Sequence, residues 1–283
     1  MNVGSRRYRG SLLAFVDATG ELAVVNELGL EDYLYGVVPC EIGPISTETF
    51  EAVKAQAVAA RSFTLTRLTK RRGLGFQLYD SYARDQEYQG AGRETALGNR
   101  AVDETRGEVL LYHGEPAEAL YHANCGGVTA NGSQPYLKSI ADTPGGRRRT
   151  PYCAGSKHSS WRTGFSREDF ENRLGTLLGV DGRVEVRSYG VETDNSGRAS
   201  HLRFKTRKGS YRISGSDFRL GLGLKSTLFK MEMGRNSVVF TGKGWGHGSG
   251  LCQDGAIEMA RRGSNHREIL LHYYSGVKLG RRY

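Results

Sequence analysis

The 283-residue chain contains no apolar run approaching the roughly 20 residues that a membrane-spanning helix needs, which excludes a bilayer-crossing helix. Its first ten residues, MNVGSRRYRG, lack the apolar stretch of a secretory signal. They read either as a cytoplasmic start or as a mature portion whose export signal has been removed. Internal repeats and low-complexity linkers are missing, so a solenoid or a string of tethered modules is not expected. No helix-turn-helix, zinc-finger or aromatic RNA-binding pattern is present, and nucleic acid is not expected as the partner. There are only four cysteines, and a chain of this length buries a sizeable core without needing a metal or a disulfide to fold.

What is present is an ordinary globular composition, 38% hydrophobic and 25% charged, with 40 basic against 30 acidic residues and a net charge of +10. Such an excess draws polyanions over long range. The densest basic groups are Lys70-Arg71-Arg72 and Arg147-Arg148-Arg149, but the remainder are scattered. An acidic polysaccharide or an anionic wall accounts for the charge as well as nucleic acid does; a solvated positive face is the plain alternative.

The pattern along the chain predicts an α+β fold, compact and largely antiparallel, with an alanine-rich central helix, short C-terminal helices and a substrate cleft between two lobes. Residues 12–37 read as short strands broken by the turn Asp17-Ala18-Thr19-Gly20. Ser46 and Thr47 offer capping oxygens to a helix over 50–68 that closes near Thr69, with Lys70, Arg71 and Arg72 complementing its dipole. Residues 107–112 and 117–122 form a hairpin reading, 166–177 a serine-capped helix, 184–240 an antiparallel sheet, and 254–262 and 267–274 two terminal helices. A single unit is expected, with a β-rich insertion at about 160–240.

The stretch KGWGHGSGLCQDGA, residues 243–256, places glycine at every second position from Gly244 to Gly250. Alternating glycines in an extended run let a ligand or another backbone lie directly against the strand. A phosphate loop would need a lysine that residues 244–251 lack, and one histidine with one cysteine is too little for a metal. The stretch reads as a platform ending in polar groups at a helix N-terminus, with packing alone as the plain alternative.

The pattern GWGHGSGLCQDGA resembles the Gly-His-Gly-x-Gly-[Met/Leu]-[Ser/Cys]-Gln-x-Gly-Ala signature of the stage II sporulation protein D (SpoIID/LytB) family. VVNELGLEDYLYGVVPCEI, EAVKAQAVAARSF, DQEYQGAG, YHANCGG, FRLGLGLKSTLF and ILLHYYSG are similar to its other blocks, in order, from about Tyr8 to about Val277. The resemblance implies lytic transglycosylation of peptidoglycan strands stripped of their stem peptides, outside the cytoplasm, with Glu41 as the acid. Such a bond needs a proton on the leaving oxygen as oxocarbenium character develops. The C6 hydroxyl of the same N-acetylmuramic acid then attacks its own anomeric carbon, so one carboxyl serves first as acid and then as base. Glu41 should therefore be protonated beforehand, buried against Pro39, Cys40 and Ile42; a capping or salt-bridged glutamate is the ordinary alternative.

His247, Ser249, Gln253 and Tyr88 are the substrate-contacting candidates, and Gln56 and Arg61 on the helix are supporting or structural. A denuded strand is a polyanion, which the +10 charge suits. A non-catalytic glycan binder that enhances a cell-wall amidase is the alternative function. Two features depart from the family pattern: Asp254 stands where a bulky residue is common, and the basic insert at 145–149 is a solvated loop or a contact for substrate or amidase.

His122-x-x-Cys125 and Cys153-x-x-x-x-His158 form a separated Cys₂His₂ set suited to tetrahedral Zn²⁺, and some members of the resembled family carry a structural zinc in this region. A Cys125–Cys153 disulfide is the alternative. Cys40 and Cys252 fall in the two segments expected to line the cleft, which raises a Cys40–Cys252 disulfide as a further expectation.

Overall fold

The alanine-rich segment forms a helix, Phe50–Arg67, in the computed structural model of the chain, and every residue from Ala52 to Thr64 except Lys54 is buried. The structure describes residues 1–17, 19–68, 71, 73–145 and 150–283. The expected roles of Ala18, Thr69, Lys70, Arg72 and 146–149, the arginine run included, lie outside the described residues. The mixed α+β class holds, with helices set among small antiparallel sheets. The chain divides into two units, residues 1–121 with 256–283, and residues 122–255.

In the first unit the Phe50–Arg67 helix contacts helices Leu30–Glu41, Ala96–Glu104 and His266–Tyr273 and strand Glu108–Tyr112. Its alanines allow these elements to approach closely. Thr49 precedes it and Ser46 does not cap it: Thr49 Oγ1 accepts from Ser46 N at 3.0 Å and donates to the Pro44 carbonyl at 2.8 Å.

Residues 30–41 correct the strand reading of 12–37. Ser11–Val16 and Leu22–Glu27 pair as the expected hairpin, but Leu30–Glu41 is a helix with Glu31 and Asp32 in its first turn. Leu34, Val37 and Val38 are fully buried at helical spacing. Each such burial is worth about 1.5–3 kcal/mol, against a helix reluctance of under about 0.7 kcal/mol per valine, so packing overrides the local strand preference. Glu41 falls on the same face, seven residues after Leu34.

The expected hairpin forms from Glu108–Tyr112 and Glu115–Pro116 only. On its other edge Glu108–Tyr112 takes the C-terminal strand Lys278–Arg281, which the pattern did not predict.

The second unit holds two three-stranded antiparallel sheets. One orders Ser210–Ser214, Ala199–Thr206 and Val186–Thr193; the other orders Phe229–Met233, Ser237–Lys243 and Ser160–Ser166. Between them lies a phenylalanine core of Phe170, Phe204, Phe218 and Phe240, all fully buried, with Phe204 and Phe218 stacked at 5.8 Å. Helix Arg167–Leu177 is capped by Ser166, which accepts from Asp169 N, as expected. Helix Gly215–Leu222, capped by Ser214, was read as strand; its serine cap and Asp217 are the signal that marks it.

Candidate functional site

Glu41 ends the Leu30–Glu41 helix and is mostly buried. Its Oε1 accepts from the Glu87 backbone N–H at 2.7 Å, and the Tyr121 side chain hydrogen-bonds it. Burial pushes the Glu41 carboxyl up to about 7 from an ordinary 4.5, against those two hydrogen bonds, which favour the ionised form; the Glu87 carboxylate adds a smaller upward push.

A relay from the central helix fixes the Tyr121 contact. Gln86, fully buried, accepts at Oε1 from Thr64 Oγ1 at 2.8 Å and Tyr33 Oη at 3.3 Å. Its Nε2 therefore faces Tyr121 and donates to the phenol oxygen at 2.9 Å. With that oxygen already accepting, the phenol hydrogen is directed to Glu41. A carboxyl poised near neutrality and held by two donors can give a proton and later take one back. Gln86, Glu87 and Tyr121 were not singled out from the sequence, although DQEYQGAG and YHANCGG carry them.

Tyr88 is not a surface contact. It is 6% exposed, donates to Asn26 Oδ1 at 2.7 Å and lies against Tyr33 with ring centroids 5.0 Å apart. Gln56 is buried within the first unit. Arg61 is fully buried: it holds Glu31 through Nε at 3.0 Å and Nη2 at 2.7 Å, and its Nη1 donates to the Glu108 carbonyl. Tyr283 and Gly107 N complete the coordination of Glu31.

In the second unit the alternating glycines meet the chain itself. Gly244, Gly246 and Gly248 have φ of 77°, 115° and 90°. A Cβ would fall 2.6 Å from the Asn124 carbonyl at Gly244, 2.7 Å from His122 Cβ at Gly246 and 2.5 Å from Arg198 Nε at Gly248. The glycines thus admit backbone and a buried guanidinium, the packing side of the two readings. The side chains between them differ: His247 is exposed, with Nδ1 accepting from Ser249 N at 3.1 Å, and Trp245 is 41% exposed, with the Lys225 ammonium 4.2 Å from its ring centroid. Ser249 is turned inward, donating to the Asn131 carbonyl at 3.2 Å, which corrects its expected substrate contact. Gln253, 8% exposed, begins helix Gln253–Arg261.

The metal-ligand set also changes. Cys125 and Cys153 gather with Asp142 and Cys252, all buried, with their donor atoms within 4.8 Å of one another. Cys125 Sγ lies 3.3 Å from Asp142 Oδ2 and 3.5 Å from Cys153 Sγ, and Cys252 Sγ accepts from Cys125 N at 3.2 Å. Metal–sulfur bonds near 2.3 Å in a tetrahedron set ligands about 3.8 Å apart, so this buried Cys/Asp cluster can hold a metal ion. Hydrogen bonds from Cys125 and Cys252 pull the Cys153 thiol down, which favours its ionised, metal-binding form.

His122 and His158 stand outside the cluster. His122 Nδ1 donates to the Ser249 carbonyl at 3.2 Å; His158 Nδ1 pairs with Asp254 Oδ2 at 3.1 Å, which Asn124 also contacts. All four cysteines are free thiols, so neither expected disulfide is formed. Asp142 carried no motif signal, and Cys252 sat in the glycine signature, where its neighbours drew attention to glycan rather than metal.

Residues 18–112 match the stage II sporulation protein family model, SpoIID. An uncharacterised protein of Brachyspira hyodysenteriae is 34% identical over 96% of this chain and 72% of its own length. Stage II sporulation protein D of Bacillus subtilis is 31% identical over 90% of this chain and 75% of its own. The amidase enhancer of B. subtilis is 29% identical over 87% of this chain, which spans 40% of that relative. With the signature blocks in order and a relative of this similarity matched over three quarters of its length, the chain belongs to the stage II sporulation protein D family.

Proposed function

We propose that the protein is a lytic transglycosylase of denuded peptidoglycan strands, acting outside the cytoplasm, with Glu41 as its acid and base. The observation that carries this reading is the Glu41 carboxyl at about 7, held by Glu87 N–H and Tyr121. At neutral pH about half of such groups carry a proton.

In the forward step Glu41 gives its proton to the glycosidic oxygen, and the bond from that oxygen to C1 of N-acetylmuramic acid breaks with oxocarbenium character. The ionised Glu41, steadied by its two donors, takes the proton of the C6 hydroxyl as O6 bonds to C1. The product ends in a 1,6-anhydro ring, Glu41 returns protonated, and no water is consumed. The free lactyl carboxylates of a denuded strand suit the net charge of +10, and exposed His247 is the remaining surface candidate for substrate contact in the glycine-rich segment.

The metal suited to a three-thiolate, one-carboxylate set is zinc. Cys125, Cys153, Cys252 and Asp142 would fill all four positions, which makes the ion structural, stapling segments that are far apart in sequence.

The similarity to an amidase enhancer supports a second reading, a glycan binder that assists an amidase without cutting. Glu41→Gln separates the two when cleavage and co-sedimentation of denuded strands are measured together. The transglycosylase reading expects cleavage by the native protein, lost in the variant, with binding retained. A native protein that binds without cutting supports the enhancer.

A further inference from the structure

Arg198 is 2% exposed, yet no carboxylate among the described residues lies within ion-pair distance of it. Its Nη2 donates to the Cys125 carbonyl at 2.5 Å and its Nη1 to the Val128 carbonyl at 2.9 Å and Ser196 Oγ at 3.2 Å, while Nε has no partner among the described residues. A buried guanidinium left with neutral acceptors is expensive, because burying a charge requires a compensating charge. The fold nevertheless makes room for it: Gly248 carries no Cβ where one would strike Nε at 2.5 Å.

The Asp194 carboxylate acts on Arg198 only from beyond ion-pair distance, and a larger negative charge is next door. Arg198 is bonded to the backbone of Cys125, and Cys125 belongs to the Cys125, Asp142, Cys153, Cys252 cluster. Three thiolates and a carboxylate carry four negative charges, and a divalent ion neutralises two of them, leaving a buried group with two in excess. A fixed buried cation beside it removes one more.

We propose that Arg198 is the built-in counter-charge of a metal–thiolate site formed by Cys125, Cys153, Cys252 and Asp142, and that tight metal loading depends on it. This rests on the metal reading of the cluster and is independent of the glycan chemistry. Arg198 positions and balances the site without touching the metal. It also joins two motifs: the Cys-Gly-Gly segment supplies the ligand and the carbonyl, and the glycine-rich segment supplies the gap that the guanidinium fills.

The test measures Zn²⁺ affinity of the whole protein by competition with a chromophoric chelator, alongside the thiolate-to-metal absorption of the Co²⁺-loaded form, for the native protein, Arg198→Met and Arg198→Lys. Outer-sphere partners of metal ligands commonly change affinity 10–100-fold. The native protein should take one metal and show the cobalt–thiolate band. Arg198→Met should bind metal at least tenfold more weakly while keeping the band at saturating cobalt, and Arg198→Lys should recover part of the loss.

Equal affinity in the native protein and Arg198→Met overturns the counter-charge role and leaves the metal site standing. A native protein that takes no metal, and whose mass falls by two hydrogens as Cys125 and Cys153 oxidise to a disulfide, overturns the metal site as well. Should Arg198→Met fail to fold, Arg198→Lys decides: a folded variant that keeps the thiolate band and binds metal within tenfold of the native affinity supports the role of charge, and one that loses more than tenfold contradicts it.

Discussion

Tyr121 hydrogen-bonds the Glu41 carboxyl while its own oxygen accepts from Gln86 Nε2 at 2.9 Å, so the tyrosine points its proton at the acid. That bond favours the carboxylate and opposes the burial that raises Glu41. In Tyr121→Phe the ionised form loses a donor, and Glu41 should titrate higher still. The pH profile of glycan cleavage should move up by about one unit, equivalent to about 1.4 kcal/mol, with the basic limb moving most. An unmoved profile would remove Tyr121 from the proton chemistry.

Stability should carry the signature of the same carboxyl. Glu41 ionises near 4.5 in the unfolded chain and near 7 when folded. Between these values the folded state holds more protons, so the contribution of this group to stability falls as pH rises, fully present below about 4.5 and lost above about 7. The cost is on the order of 3 kcal/mol at most. Glu41→Gln removes it: the variant should melt above the native protein at pH 8 and close to it at pH 4. Parallel melting curves across that range would mean that Glu41 titrates normally.

The glycine-rich run should resist substitution where it meets the chain. Gly246 and Gly263 both have positive φ, 115° and 91°, but a Cβ at Gly263 meets open space and one at Gly246 meets His122 Cβ at 2.7 Å. Gly263→Ala should cost about 1–2 kcal/mol from backbone strain alone, and Gly246→Ala more, because His122 and its backbone must shift. Denaturant titration of the two variants checks the order; equal losses would mean that the strand can yield.

Arg61 should matter for folding before it matters for chemistry. Its two bonds to Glu31 are fully buried, and Arg61→Met leaves that carboxylate uncompensated. A loss of about 3–5 kcal/mol is expected, read as a shifted unfolding midpoint. A variant as stable as the native protein, but inactive, would instead place Arg61 in the chemistry.

Glu41, the alanine-rich helix and the serine-capped helix at 167–177 were legible because each rests on local chemistry: a motif, a run of small residues, a capping oxygen. The first helix was not, because Tyr33, Tyr35, Val37 and Val38 favour strand locally, and only the buried surface they find decides for helix. The metal cluster was half legible. Cys125 and Cys153 do come together, but spacing favoured His122 and His158, whereas the chain brings Cys252 from 99 residues after Cys153 and an unsignalled Asp142. Tyr88 and Ser249 lay in the right motifs and point inward, a distinction that no periodicity records.

The central claim is that Glu41 drives an intramolecular cleavage of glycan. Mass spectrometry of products from amidase-stripped strands, incubated with the native protein or with Glu41→Gln, tests it most directly. The account predicts fragments ending in 1,6-anhydro-N-acetylmuramic acid with the native protein and none with the variant. Reducing ends that have gained water, or anhydro ends formed equally by Glu41→Gln, would contradict it.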